Sequence, residues 1–144
     1  MKDYDALKLE NQLCFPLYAV SREITRDYRP FLGKLDLTYT QYIVMMVLWE
    51  EKKISVKDLG AKLFLDSGTL TPLLKTMEKK GLLRRYRCSE DERVAIVEIS
   101  AAGEILKEDA LAVPAQIRRC LNLEEEEAKT LYRLLRKMLY REKS

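Results

Sequence analysis

The 144-residue chain contains no histidine, which removes histidine-based catalysis and histidine metal ligands together. Its three cysteines, Cys14, Cys88 and Cys120, lie far apart and show no zinc-type spacing, so neither a metal nor a cofactor is expected. An odd cysteine count also argues against a structural disulfide framework, and leaves inert or reactive thiols. No apolar run approaches the ~18–20 residues of a membrane span, so no membrane partner is expected. Met1-Lys2-Asp3-Tyr4-Asp5 lacks the basic flank and apolar stretch of a signal peptide, which points to the cytoplasm. No internal repeat, low-complexity segment or long linker is visible, and the length suits one domain covering 1–144.

What is present is a soluble, helix-rich composition: 47% hydrophobic and 34% charged residues. The net charge of +3 is unevenly spread. Residues 52–98 hold eleven Lys/Arg against seven Asp/Glu, so the positive surplus sits in the middle third, where phosphates would be met.

Leu13, Leu17, Val20 and Ile24 predict an amphipathic helix over 7–29, kinked by Pro16 and ending near Arg29-Pro30. Thr38 to Glu51 is apolar on nearly every side and reads as a central buried helix capped by Thr38. Ser55 opens a short helix carrying Val56, Leu59 and Leu63 inward. A second runs from about Asp66 to Lys80 and stops at Gly81, although Thr71-Pro72 is a competing start. The period then changes: 83–87 and 94–99 read as strands of a hairpin joined by the acidic turn Ser89-Glu90-Asp91-Glu92. Ser100 opens a helix to about Leu121, bent at Pro114, and Asn122 opens the last, with Leu131, Leu135, Met138 and Leu139 as its apolar stripe.

This order predicts a mainly α fold with a small β-hairpin, a winged helix-turn-helix. Residues 38–99 would form the DNA-binding lobe. The segments 1–37 and 100–144 carry more apolar surface than that lobe can cover and are expected to pair a homodimer. In such a fold the second helix of the pair enters the major groove by its N-terminal end. Asp66, Ser67, Gly68, Thr69, Thr71 and Pro72 lie there, and Lys75 is one turn further on. Arg84, Arg85, Arg87 and Arg93 on the wing suit phosphates or a narrow minor groove. On charge alone these residues could equally be a solvated face.

Four-, three-, four- and three-residue steps from Cys14 reach Tyr18, Ser21, Thr25 and Tyr28, a stripe of hydroxyls that can stabilise a thiolate. Tyr28 is about 21 Å along a straight helix from Cys14, so the two cannot touch within one chain. An antiparallel pairing of first helices across a dimer axis would bring them together.

The segment LFLDSGTLTPLLKTMEKKGLLRRYRCSEDERVAIVEIS resembles the recognition helix and wing of MarR-type regulators, including Asp91-x-Arg93. ENQLCFPLYAVSREITRDYRPF and LDLTYTQYIVMMVLWE resemble the organic-hydroperoxide regulators, the OhrR subgroup. Pro16 departs from the Ala or Ser expected there. The resemblance implies a homodimeric repressor on a pseudo-palindromic double-stranded operator, not an enzyme. It implies that Tyr28 and Tyr39 of the partner subunit bond the Cys14 thiolate, which an organic hydroperoxide oxidises to a sulfenic acid. It further implies Cys120 as a resolving thiol of the partner subunit; Cys88 reads as incidental. Two other readings stay open. One is a repressor of the same fold released by an aromatic ligand near Tyr28, Tyr39, Tyr42 and Trp49. The other is a small thiol peroxidase acting through Cys14.

Overall fold

The computed structural model describes residues 1–141; the last three residues of the expected 100–144 pairing segment lie outside the described residues. Two single 3-10 turns, Asp5–Leu7 and Leu9–Asn11, precede α1 (Cys14–Asp27) and α2 (Arg29–Gly33). Then come α3 (Tyr39–Glu51), β1 (Lys53–Ser55), α4 (Val56–Leu63), α5 (Ser67–Lys79), β2 (Leu83–Arg87) and β3 (Ala95–Ile99). The chain continues through α6 (Ala101–Ala110), α7 (Val113–Cys120) and α8 (Glu125–Leu139).

The centre forms as the apolar pattern requires. Thr38 caps α3 in a reciprocal capping box, its hydroxyl accepting from Gln41 N while the Gln41 side chain accepts from Thr38 N. Val44, Met45 and Leu48 are then fully buried against Leu59, Leu70, Leu74, Met77 and Val97, joining the helix pair to the sheet in one core. Trp49 donates from Nε1 to the Gly103 carbonyl at 2.9 Å, which ties α3 to α6. A Cβ at Gly103 would overlap the Leu82 carbonyl oxygen, so only glycine permits this crossing.

The sheet has three antiparallel strands in the order β1-β3-β2, with Ile54 opposite Val97 and Arg85 opposite Val97 on the other side. The sequence pattern predicts the hairpin but not β1, because three residues are too few to show an alternation.

Four expectations are corrected. The first long helix begins at Cys14, not near residue 7. Pro16 therefore sits in the first turn, where its missing N–H has no intrahelical partner to lose, so the reason to expect a kink there is gone. The single helix from 100 to 121 is two helices parted at Leu111-Ala112, since Pro114 cannot donate to the Ala110 carbonyl. Asn122 does not open α8: with φ +55° it terminates α7 in the left-handed region. Glu124 caps α8 instead, its backbone N–H bonded to Glu127 Oε1 at 2.9 Å. The choice between two starts for α5 falls to Asp66, leaving Pro72 inside the helix.

Neither α1 nor α8 buries a single residue. The accessible surface of the chain is 11077 Å². A compact monomer of 16.9 kDa exposes about 7,700 Å² by the usual surface scaling. The excess is about 3,400 Å², and the exposed apolar side chains include Phe15, Leu17 and Val20 on α1 and Leu131, Leu134, Met138 and Leu139 on α8.

Candidate DNA-binding surface and cysteine site

Helix α4 is capped by Ser55, whose hydroxyl accepts from Asp58 N at 3.1 Å. It ends at Phe64, which adopts the left-handed conformation at φ +56°. The turn to α5 is closed by Leu65 N donating to the Gly60 carbonyl at 3.0 Å. A Cβ on Gly60 would stand 2.8 Å from the Leu65 carbonyl oxygen, so the tight turn depends on glycine there. Asp66 accepts from Thr69 N at 2.8 Å and fixes the start of α5. That backbone N–H holds the Asp66 carboxyl below its ordinary range. Asp66, Ser67, Gly68, Thr69, Thr71, Pro72 and Lys75 are all exposed, while Leu70, Leu74 and Met77 anchor the opposite face. Helix α5 thus offers a polar, small-residue N-terminal half on a rigid support.

The wing is less free than its charge suggests. Arg84 forks onto Glu98 Oε2 from Nη2 at 2.6 Å and Nε at 3.0 Å, and stacks over Tyr86 at 4.7 Å. The Tyr86 hydroxyl donates to the other Glu98 oxygen at 2.9 Å. The Arg84 guanidinium, then the Tyr86 hydroxyl, hold the Glu98 carboxyl below its ordinary range. Arg85 points back to α5, where Glu78 accepts from its backbone N–H at 2.9 Å and from its guanidinium at 3.2 and 3.4 Å. At the tip, Asp91 binds Arg93 through backbone and guanidinium, so the Asp91-x-Arg93 pair shapes the turn. The Arg93 side chain is nevertheless 91% exposed and projects from the end of the wing. Lys57, Lys75, Lys79 and Arg87 have no salt-bridge partner among the described residues. Sequence reasoning singled out Arg84 and Arg85 for their charge alone. It missed Glu78 and Glu98, which share no local motif with the arginines they hold.

Cys14 is an exposed free thiol at the first residue of α1, beside unsatisfied backbone N–H groups and the positive end of the helix. The hydroxyl stripe does not converge on it within the chain. Tyr18 is exposed beside Arg22, with the guanidinium 5.6 Å from its ring, and Thr25 donates back to the Ser21 carbonyl at 2.9 Å. Tyr28, at the far end of α1, joins an aromatic group with ring centroids 4.8 Å from Tyr39 and 5.7 Å from Tyr42; Tyr42 in turn lies 6.3 Å from Trp49. Burial first, then the neighbouring Tyr39 and Tyr42, push the Tyr28 phenol up to about 12, so it is a protonated hydrogen-bond donor at neutral pH. Cys120 is exposed at the end of α7, its thiol 3.7 Å from the Gln116 carbonyl. Cys88 is half-buried at the base of the wing turn, its N–H bonded to the Val94 carbonyl.

The profile of the transcriptional regulators SarA/Rot matches residues 27–110. The chain belongs to this family of transcriptional regulators. It is 52% identical over 114 residues to the organic hydroperoxide resistance transcriptional regulator of Bacillus subtilis (strain 168), covering 79% of this chain and 78% of that protein. It is 42% identical over 131 residues to the HTH-type transcriptional regulator SarZ of Staphylococcus haemolyticus (strain JCSC1435), covering 91% and 89%. Among solved structures, overoxidized AbfR bound to DNA is 36% identical with a TM-score of 0.76, over 94% of this chain and 95% of that one. A disulfide-formed AbfR superposes with a TM-score of 0.65 at 35% identity, over 94% and 95%. AbfR is a protein of Staphylococcus epidermidis. A mutant MarR from E. coli in complex with operator DNA superposes with a TM-score of 0.83 at 26% identity, over 96% of this chain and 99% of that one. The fold is accordingly that of MarR-type winged-helix DNA-binding proteins, and the family and its relatives are regulators rather than enzymes.

Proposed function

We propose that this protein is a homodimeric cytoplasmic repressor that holds a pseudo-palindromic operator while reduced, and releases it when an organic hydroperoxide oxidises Cys14. The observation that carries the reading is the placement of Cys14. An exposed thiol opens α1, on an apolar surface that the isolated chain leaves uncovered, in a protein that also carries a helix-turn-helix and a basic wing.

The uncovered area fits pairing. An excess of about 3,400 Å² per chain, about 6,800 Å² for a pair, is enough for the large interfaces that obligate dimers bury. Residues 1–37 and 100–141 would pair, and 38–99 would present α5 to successive major grooves about one helical turn apart. Within one chain Tyr28 sits at the opposite end of α1 from Cys14. With the first helices antiparallel, Tyr28 and Tyr39 of the partner subunit would donate their hydroxyls to the Cys14 sulfur, with Tyr18 nearby on the same helix.

The chemistry balances without a cofactor. The thiolate attacks the terminal peroxide oxygen, an S–O bond forms and the O–O bond breaks. The alkoxide leaves and takes up a proton as the alcohol, while sulfur loses two electrons and becomes a sulfenic acid. Cys120 of the partner subunit then attacks that sulfur, forming an S–S bond and expelling the oxygen as water. Such a bond needs Cα atoms within about 7 Å, so it requires movement of α7. The rings of Tyr28, Tyr39, Tyr42 and Trp49 already pack on one another, which counts against an aromatic effector lodging between them.

The test is operator binding by reduced protein and after cumene hydroperoxide, for wild type, Cys14→Ser and Cys120→Ser. Release in wild type but not in Cys14→Ser is expected, with a dimeric band on a non-reducing gel that Cys120→Ser lacks. Peroxide-induced release by Cys14→Ser would sink the sensor reading.

A further inference from the structure

The far end of the recognition helix is tied to the element that carries Tyr39. Lys80 is the C-cap of α5, and its ammonium lies against the α2–α3 connection. It donates to the Asp36 carbonyl at 2.6 Å and to Gln41 Oε1 at 3.0 Å, with Asp36 Oδ2 at 3.7 Å. The Lys80 side chain keeps 27% of its accessible surface, whereas the Asp36 carboxylate keeps 92%. The exposed ion pair therefore contributes little, and the two hydrogen bonds carry the link.

Gln41 gives the link its direction. Its side chain is buried, and the same oxygen that receives Lys80 also accepts from Thr38 N at 3.1 Å. One amide oxygen thus holds the first turn of α3 and the last turn of α5. Tyr39 is the first residue of α3, its ring packed on that of Tyr28 at 4.8 Å between centroids and tilted by 54°. The loop between is closed by Asp36 N to the Gly33 carbonyl and Leu37 N to the Leu32 carbonyl, with Leu32 and Leu37 buried, so it cannot absorb a displacement cheaply. A change in how Tyr28 and Tyr39 pack moves the first turn of α3, and Lys80 hands that movement to α5.

We infer that Lys80 is a positioning residue that couples the Tyr28–Tyr39 pair to the placement of the recognition helix. The inference rests on the redox-repressor reading above and names the route by which that site acts. A plain structural role, a cation closing a helix C-terminus, would affect reduced and oxidised protein alike.

The discriminating quantity is the ratio of operator Kd after and before oxidation. The probe is a labelled duplex selected from a randomised pool by reduced wild-type protein, and the oxidant is cumene hydroperoxide. Lys80→Met keeps the aliphatic stem and removes the donors. Its reduced affinity is expected to stay within about threefold of wild type, while the ratio falls by about threefold or more. Gln41→Glu keeps the acceptor and the capping box, and should retain the wild-type ratio. Should Lys80→Met lose its folded Trp49 fluorescence, Lys80→Gln carries the same comparison. An unchanged ratio in the Lys80 variant, or equal weakening of both states, overturns the coupling alone. A wild-type protein whose affinity does not respond to the oxidant overturns the sensor reading and the coupling with it.

Discussion

Replacing Gly60 by alanine tests whether the helix-turn-helix is built on a close backbone approach. The added Cβ would lie 2.8 Å from the Leu65 carbonyl oxygen and 3.6 Å from Leu70 Cδ2. The second distance is ordinary contact. The first falls about 0.6 Å short of ordinary contact, and the blocking atom is backbone in the turn itself, so no side-chain rotation can supply the relief. Alanine gains about 1 kcal/mol over glycine in a helix interior, and overpacking costs about 1–3 kcal/mol. Because the turn is also closed by Leu65 N on the Gly60 carbonyl and the blocking atom cannot rotate away, the clash should fall at the upper end of that range and leave a net loss approaching about 2 kcal/mol. The displaced turn should re-aim α5 and weaken operator binding beyond this loss of stability. Urea unfolding followed by the single tryptophan, at fixed protein concentration, gives the first quantity, and fluorescence anisotropy with operator gives the second. A variant more stable than wild type that binds DNA normally would refute the close-approach reasoning.

Further outcomes follow from the same geometry. Leu135→Glu places a charge on the uncovered face of α8, twice per symmetric dimer, and should weaken dimerisation by about a hundredfold or more. Sedimentation velocity would show monomer where wild type is paired, and an unshifted dimer would contradict the assignment of that face. Arg87→Ala should lower the slope of log affinity against log salt by about 1, whereas Arg84→Ala, whose charge is held by Glu98, should lower it less. Equal slopes for the two variants would argue against the ion-pair account of the wing. The Tyr28 phenol, raised by burial to about 12, keeps its proton in the folded state while an unfolded tyrosine ionises near its ordinary value of 10.0. Its contribution is therefore complete below pH 10 and is lost as pH rises toward 12. Urea midpoints across that window should fall in wild type and fall less steeply in Tyr28→Phe; parallel slopes would show that Tyr28 is not the group responsible.

Much of this arrangement is legible in the sequence because local chemistry and tertiary packing agree. Thr38, Ser55, Asp66 and Ser100 each cap the helix that their side chains can cap, and Gly81, at φ +79°, ends the segment after α5. Errors cluster where two local rules compete. Leu13 to Ile24 continues a helical period past Cys14 in both directions, but the preceding residues fold into 3-10 turns stabilised by Asn11 and Gln12 side chains on backbone carbonyls. That error hid the fact that Cys14 opens its helix. At the candidate DNA surface the exposed N-terminal half of α5 is legible in its small, polar residues. The partners of Arg84 and Arg85 are not, since Glu98 and Glu78 meet them only once β2 pairs with β3 and packs on α5. The Lys80–Gln41 bond spans 39 residues and leaves no local trace, apart from Gln41 standing three residues after Thr38.

The central claim is that the chemical state of one sulfur decides whether the operator is held. It is tested most directly by adding cumene hydroperoxide in sub-stoichiometric steps to the preformed complex. DNA release is read by anisotropy, and each step is quenched for mass analysis of the Cys14 peptide after trapping of sulfenic acid. Release that rises in proportion to modified Cys14 and saturates with it is the predicted result. Operator that stays bound with Cys14 fully oxidised, or that leaves while Cys14 is still reduced, would contradict the account.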